Sequence, residues 1–285
     1  MQPLCLVTAL ALATIPTSRS AAGELSPAKE AGSTYSHKVL GSHPVAYWRL
    51  GETHGAIAFD ATKHRHHGIF HGLVALRQLG AIRHDEDTAI KLNGHSYVEV
   101  QASKRFSQPT SKHGFTVEAW IRPDVLRFKG ETKENYIHWL GKGEGQQQEW
   151  ALRFYSKDST RPNRISAYIF NPLGGLGAGA YFQDVLKPGE WIHVVACFDP
   201  GNAKTNSKGG VSIYKNGVLR GSPATQPGAR YSAYDIMPVV GTSPLRLGTR
   251  DRKSFLTGGL DDVAIYPRVL SAAEIRDHYR SAIKR

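Results

Sequence analysis

Residues 258–275, reading GGLDDVAIYPRVLSAAEI, constrain the fold of this chain more than any other stretch. The first half alternates. Leu260, Asp262, Ala264 and Tyr266 fall on one side of an extended chain and Asp261, Val263 and Ile265 on the other, which is the period of a β-strand. Pro267 has no N–H to give a ladder and closes the strand. Ser271 then stands as an N-cap with Glu274 three positions on, a capping box, and Leu270 and Ile275 occupy the two staple positions. The stretch therefore predicts an acid-bearing strand that runs directly into one terminal helix.

The rest of the chain reads mainly as strands. In Phe115–Pro123 (FTVEAWIRP) the residues Phe115, Val117, Ala119 and Ile121 share one face and Thr116, Glu118 and Trp120 the other. Bulk on both faces predicts a central strand with cover on each side. Residues 190–200 (EWIHVVACFDP) alternate in the same way, and Cys197 is expected to behave as a small buried hydrophobe. Residues 211–220 (VSIYKNGVLR) predict a hairpin whose Asn216-Gly217 corner supplies the two positive φ angles of a type I′ turn. Further strands are expected at Tyr136–Lys142, Trp150–Tyr155 and 164–170. Residues 89–100 (AIKLNGHSYVEV) read as a strand, a turn and a strand forming a first tight hairpin-like pair. The glycine-rich loop 171–179 lacks the helix and the Lys-Ser/Thr pair of a phosphate cradle, and 223–244 reads as an irregular insertion. No internal repeat is evident.

Six of these segments, taken in order, carry a resemblance: VAYWRLGE at 45–52, DATKHRHHG at 60–68, FTVEAWIRP, EWIHVVACFDP, VSIYKNGVLR and the closing strand with its LSAAEI helix start. The chain from Pro44 onward resembles the LamG-like (laminin G-like) domains of the concanavalin A-like lectin/glucanase superfamily. The resemblance implies an all-β fold: a two-sheet antiparallel jelly-roll sandwich with one C-terminal helix on the outside. It also implies a structural Ca²⁺ joining the two ends of the domain, through Asp60 at an early turn and Asp261 on the closing strand. From the residues alone, Asp60 is an Asx-turn starter and Asp261 a hydrogen-bond anchor for a loop. Asp262 is expected to face solvent or pair with a basic residue. Trp48, Trp120 and Trp191 lie in framework strands and are expected in the core.

The N-terminal part does not look like folded domain. Residues 1–22 carry an apolar run from Leu4 to Ile15, of the length of a signal-peptide core and too short to span a bilayer. Residues 23–43 are polar and aperiodic and are expected to form a flexible linker, with the domain at 44–285. With Cys5 in the leader, only Cys197 is left in the secreted chain, so no intramolecular disulfide is expected. No other apolar stretch approaches membrane length. The expected product is a secreted, extracellular protein.

The net charge of +12 favours acidic partners. The basic residues are scattered, however, and concentrate only at Arg276, Arg280, Lys284 and Arg285, where cations suit a helix C-terminus, so no specific nucleic-acid partner is expected. His64, His66, His67 and His71 lack zinc spacing and read as loop residues.

This fold hosts both binding modules and enzymes, so function must come from the residues. A retaining glycosidase needs two carboxyl groups ~5–5.5 Å apart, which enzymes of this superfamily place along one strand as E-x-D-x-x-E or E-x-D-x-E. No such spacing occurs. Asp85-Glu86-Asp87 sits in a polar turn, and Glu144 and Glu149 flank a Gln-rich loop. A lyase would draw on Arg153, Tyr155, Tyr168 and His138, but the strings of alginate lyases are absent. The expectation is a non-enzymatic module that recognises an extracellular or cell-surface carbohydrate; the alternative is an adhesin-like structural or protein-interaction module without a small ligand. If the apolar sets Trp150, Leu152 and Phe154 and their equivalents form core, then Arg153, Tyr155, Tyr168, Tyr181 and Gln183 line the open sheet, offering rings to sugar faces and planar polar groups to hydroxyls.

Overall fold

The strand Phe115–Pro123 (β7) explains why the chain builds two layers and then adds a third covering. Phe115, Val117, Ala119 and Ile121 enter the main core, while Glu118 and Trp120 on the opposite face are buried as well. A strand covered on both faces belongs in the middle of a sheet. It lies between Ile192–Asn202 (β12) and Thr257–Tyr266 (β16). The computed structural model describes residues 33–284 apart from 108–113, 131–132, 203, 205–206, 235 and 237–238, so the expected leader 1–22 lies outside the described residues.

Two antiparallel sheets of eight strands face each other. The first runs Val218–Gly221 (β14), Ser207–Lys215 (β13), β12, β7, β16, Thr88–Asn93 (β5) and Ala75–Leu79 (β4), with Ala46–Trp48 (β1) also paired to β16. The second runs Ala178–Gln183 (β11), Arg164–Ile169 (β10), Trp150–Tyr155 (β9), Tyr136–Lys142 (β8), Leu245–Leu247 (β15), Tyr97–Val100 (β6), Gly68–His71 (β3) and Ile57–Ala58 (β2). Inward-facing residues of both sheets, among them Trp48, Phe115, Trp139, Trp150 and Phe154, form one core between them. This is the expected sandwich.

Two helices, Thr34–Gly41 (α1) and Ala272–Ile283 (α2), cover the outer face of the first sheet. The capping box of α2 forms as expected: Ser271 Oγ accepts from Glu274 N, and the Glu274 carboxylate accepts from Ser271 N. Of the expected linker at 23–43, residues 23–32 lie outside the described residues, and helix α1 corrects the remainder. Ser33 caps it, and Tyr35 and Val39, one helical turn apart, are fully buried against the sheet and α2. The folded unit thus includes residues well before 44. Cys197 sits in this outer core, where burial pushes its thiol up to about 12. Trp48 and Trp120 are buried as expected; Trp191 is only partly so, with the Arg122 guanidinium 5.1 Å from its ring.

Two local expectations fail for identifiable reasons. Residues 89–100 are not a hairpin: β5 pairs with β16 and β4 in the first sheet, and β6 pairs with β15 and β3 in the second. The turn at Asn93-Gly94, where the Asn93 side chain accepts from His95 N and Ser96 N, carries the chain across the core between sheets. In β16 the simple alternation breaks at a bulge between Asp261 and Ala264, with Asp262 at φ +47°. The extra residue moves Val263 and Ile265 to the same core as Leu260, leaving Ala264 and Tyr266 under the helices. Asp262, expected at the surface, is consequently buried, and its carboxylate accepts from the Tyr47 hydroxyl.

The Asn216-Gly217 corner joins β13 to β14 with φ +51° and +76°, the signs of a type I′ turn. A Cβ at Gly217 would also lie 3.0 Å from Tyr279 Cβ on α2. Gly217→Val should therefore lower stability by ~1–3 kcal/mol from backbone strain, before any clash with the helix. A denaturant midpoint equal to that of the native protein would contradict the turn assignment.

Candidate functional site

Neither α1 nor α2 covers the outer face of the second sheet, and strand pairing assembles a two-dimensional lattice on it. In β9 and β10, Leu152, Phe154, Ile165, Ala167 and Ile169 point into the core. Their alternates Arg153, Tyr155, Arg164, Ser166 and Tyr168 therefore face outward. The register sets Tyr181 opposite Ser166, Ser166 opposite Arg153, and Arg153 opposite His138, one row across four strands. The next row places Gly179, Tyr168, Ala151 and Gly141 side by side. Small residues on either side leave room for the Tyr168 ring: a Cβ on Gly179 would come within 2.6 Å of it.

Cations and rings interleave on this lattice. The Arg153 guanidinium lies 4.4 Å from the Tyr136 ring, 4.5 Å from Tyr168 and 5.0 Å from Phe170, and its Nε donates to His138 Nε2 at 3.2 Å. Arg164 stacks 3.7 Å over Tyr181 and is held by Gln183 Oε1, which accepts from its Nε and Nη2. Such stacking fixes long side chains that would otherwise sweep solvent.

At the free edge of β11 the face deepens into a cleft of about 310 Å³, lined by Arg161, Arg164, Tyr168, Tyr181, Gln226 and Tyr234 among others. That volume is at the lower end for small-molecule sites. The far wall comes from the insertion 223–244. Gln226 clamps the edge strand, accepting from Tyr181 N at 3.0 Å and donating to Tyr181 O at 2.9 Å. The clamp satisfies edge groups that would otherwise invite pairing with another chain.

All five residues expected to bind ligand lie on this face, with different roles. Tyr168 and Tyr181 line the cleft, and Arg153 stands beside it. Gln183 is exposed and acts on Arg164, while Tyr155 is fully buried beneath its neighbours, 5.8 Å from Arg164 and 5.9 Å from Arg161. Sequence reasoning missed Arg161, Arg164, Gln226 and Tyr234. Arg164 alternates with Ser166 and Tyr168 and was legible; the wall from the insertion had no periodic signal. The nearby carboxylates are paired with cations: Glu149 with Lys142, Glu99 and Glu144 with Arg246, and Asp251 with Arg250.

Asp60 and Asp261 do not fit the shared calcium site expected of them. Asp60 Oδ1 accepts from Tyr47 N and Thr62 N, and Oδ2 from Thr62 Oγ1 and His66 N, so its oxygens are spent on a turn. Asp261 Oδ2 accepts from Ala81 N at 2.7 Å, and burial, with the Asp262 charge beside it, pushes its carboxyl well above the carboxylate range. Arg49, a cation of the chain's own, already pairs with Asp85 and Asp87 close by. Among the described residues no three His, Cys, Asp or Glu side chains are grouped to hold a metal, the histidines at 64–71 included. Tyr47 does the joining instead, its amide on Asp60 and its hydroxyl on Asp262. Melting curves in millimolar Ca²⁺ and in EDTA should coincide; a calcium-dependent rise in Tm would restore the ion.

No curated protein matches the sequence significantly. Domain 4 of AbnA, an extracellular GH43 arabinanase of Geobacillus stearothermophilus, solved with arabinotriose, superposes with a TM-score of 0.54 at 16% identity, over 83% of this chain and 98% of that one. The botulinum neurotoxin serotype D ligand-binding domain, solved with N-acetylneuraminic acid, superposes with a TM-score of 0.57 at 16% identity, over 87% of this chain and 53% of that one. The receptor-binding domain of the mosaic serotype C/D toxin gives 0.58 at 15% identity, over 86% and 52%. This chain thus spans about half the length of the toxin domains, and at such identities the likeness is one of fold. A laminin G model matches residues 92–276, well over half of the sequence. The chain belongs to the concanavalin A-like lectin/glucanases superfamily.

Proposed function

We propose that this protein is a non-catalytic module, acting outside the cell, that recognises carbohydrate on the outer face of its second sheet. One observation carries the reading: Tyr168 and Tyr181, with Arg153 and Arg164 stacked on their rings, stand beside a cleft of about 310 Å³. Fixed aromatic faces offer surface to the apolar side of a sugar ring, and guanidinium forks offer donors to its oxygens. Two fold neighbours were solved with sugars bound, which supports the reading without assigning the ligand. The pairing of the nearby carboxylates with lysine and arginine supports binding over hydrolysis, since a general acid or nucleophile needs a carboxyl free to meet substrate. No helix among the described residues is long and apolar enough to cross a membrane.

Affinity electrophoresis through gels containing polysaccharides tests this. Retardation in at least one polysaccharide, relieved by the free oligosaccharide, is the expected result. Unretarded migration in every gel would favour the structural or protein-interaction module.

A further inference from the structure

Among the described residues, two guanidinium groups of the open face have no carboxylate partner. Arg246 pairs with Glu99 and Glu144, Arg250 with Asp251, Arg161 with Glu134 at 3.6 Å, and Arg252 with Glu144 at 3.4 Å. Arg153 and Arg164 alone of this group have no carboxylate partner among the described residues. Arg153 spends its Nε on His138, and Arg164 spends Nε and Nη2 on the neutral Gln183 amide. The remaining fork of Arg153 faces outward between three rings. Ser166 Oγ, between them on the sheet, is buried without a hydrogen-bond partner.

Their spacing matters. Arg153 lies opposite Ser166, and Arg164 is two residues along the same strand from Ser166, so the two arginines are diagonal neighbours, ~7–8 Å apart at Cα. Like charges that close on a sheet repel, and the faces of Tyr136, Tyr168 and Tyr181 offset only part of this through their quadrupoles. A planar, forked, weakly hydrated cation held by stacking is the arrangement that accepts a carboxylate or an oxyanion in bidentate fashion. The net charge of +12 would draw a polyanion towards the surface.

We infer that the carbohydrate bound here is acidic, and that its anionic substituent, a carboxylate or a sulfate ester, docks on Arg153 and Arg164 while its ring lies against Tyr168 or Tyr181. This rests on the reading of the face as a glycan site and names its ligand class.

A glycan array carrying neutral, uronate-containing, sialylated and sulfated members, probed with the full-length protein, tests it. Binding confined to acidic members is expected, and the uronate, sialylated and sulfated arms tell the carboxylate from the sulfate source. Arg153→Gln and Arg164→Gln, with melting temperatures checked, should each weaken the acidic hits ~10- to 100-fold, the range for losing a charge-assisted hydrogen bond. Arg276→Gln, an exposed change on α2 with the same loss of charge, should leave them unaltered. Neutral hits that withstand Arg153→Gln and Arg164→Gln would overturn the acidic ligand while leaving glycan recognition intact. Equal weakening by Arg276→Gln would reduce the effect to net charge. An array without any hit would remove the glycan site, and this inference with it.

Discussion

Replacing Glu118 by alanine should destabilise the protein by ~3–5 kcal/mol, the range for removing one partner from a buried charged network. Glu118 lies on β7, fully buried beneath the two helices. Its carboxylate accepts from Tyr35 Oη at 3.0 Å on α1 and Tyr266 Oη at 2.6 Å on β16, and meets His193 Nε2 at 2.8 Å on β12 and His278 Nδ1 at 3.0 Å on α2. His278 in turn bonds Ser42 Oγ beyond the end of α1 through Nε2. One carboxylate therefore ties both helices to three strands, and its loss strands four polar groups in an apolar layer. At ~2–4 °C per kcal/mol for a domain of this size, the melting temperature should fall by ~6–20 °C. A change under one degree would show that the helices are held by their apolar contacts alone.

The same network carries a pH dependence of its own. Burial by itself would raise the Glu118 carboxyl, but the charge and hydrogen bonds of His278 and His193 hold it well below its ordinary 4.5. Burial would lower His278, and the Glu118 carboxylate more than offsets this, so the imidazole sits above its ordinary 6.5. The depressed carboxylate contributes stability above 4.5 that is lost as pH falls through its folded value. The raised imidazole contributes stability below 6.5 that is lost as pH rises through its folded value. Stability from this network is therefore greatest between 4.5 and 6.5 and declines on both sides. Glu118→Gln should flatten the profile as well as lower it, and an unchanged profile in that variant would assign the pH dependence elsewhere.

The second large effect is on binding. Truncating a tyrosine that anchors a ligand costs on the order of 2 kcal/mol, and each 1.4 kcal/mol is about tenfold. Tyr168 lies in the cleft over Gly179, and Tyr181 lies on the adjacent strand under Arg164. The double variant Tyr168→Ala/Tyr181→Ala should lose affinity by a factor on the order of 10²–10³ if the two act independently. Both rings face outward and leave the core sets of their strands intact, so the melting temperature should move by only a few degrees. Calorimetric titration with an oligosaccharide that retards the native protein reads the result. Retained affinity would exclude these rings as the platform.

Strands with bulk or clean alternation were legible in the sequence. Phe115–Pro123 declared its central place, residues 190–200 their strand, Asn216-Gly217 its turn, and Ser271 with Glu274 the start of the last helix. What escaped was set by tertiary context. Helix α1 shows only Tyr35 and Val39 as an apolar stripe, too little to reveal eight helical residues before the sheet they cover is known. The bulge at Asp262 shifts every later side chain of β16 by one face, and no residue type there announces it. Asn93-Gly94 has the chemistry of a hairpin turn, yet the partners of β5 and β6 lie in different sheets. The outward tyrosines and Arg153 followed from alternation once the inward set was recognised. The wall from residues 223–244 did not, because Gln226 acts through the backbone of a strand 45 residues away.

The most direct measurement is a crystal structure of the protein with the oligosaccharide that retards it most strongly. The expected result is a sugar ring in van der Waals contact with Tyr168 or Tyr181, oxygen atoms within hydrogen-bond distance of Arg153 or Arg164, and no displacement of β9, β10 or β11. A sugar held against the helices on the first sheet, or on loops away from these four side chains, would contradict it.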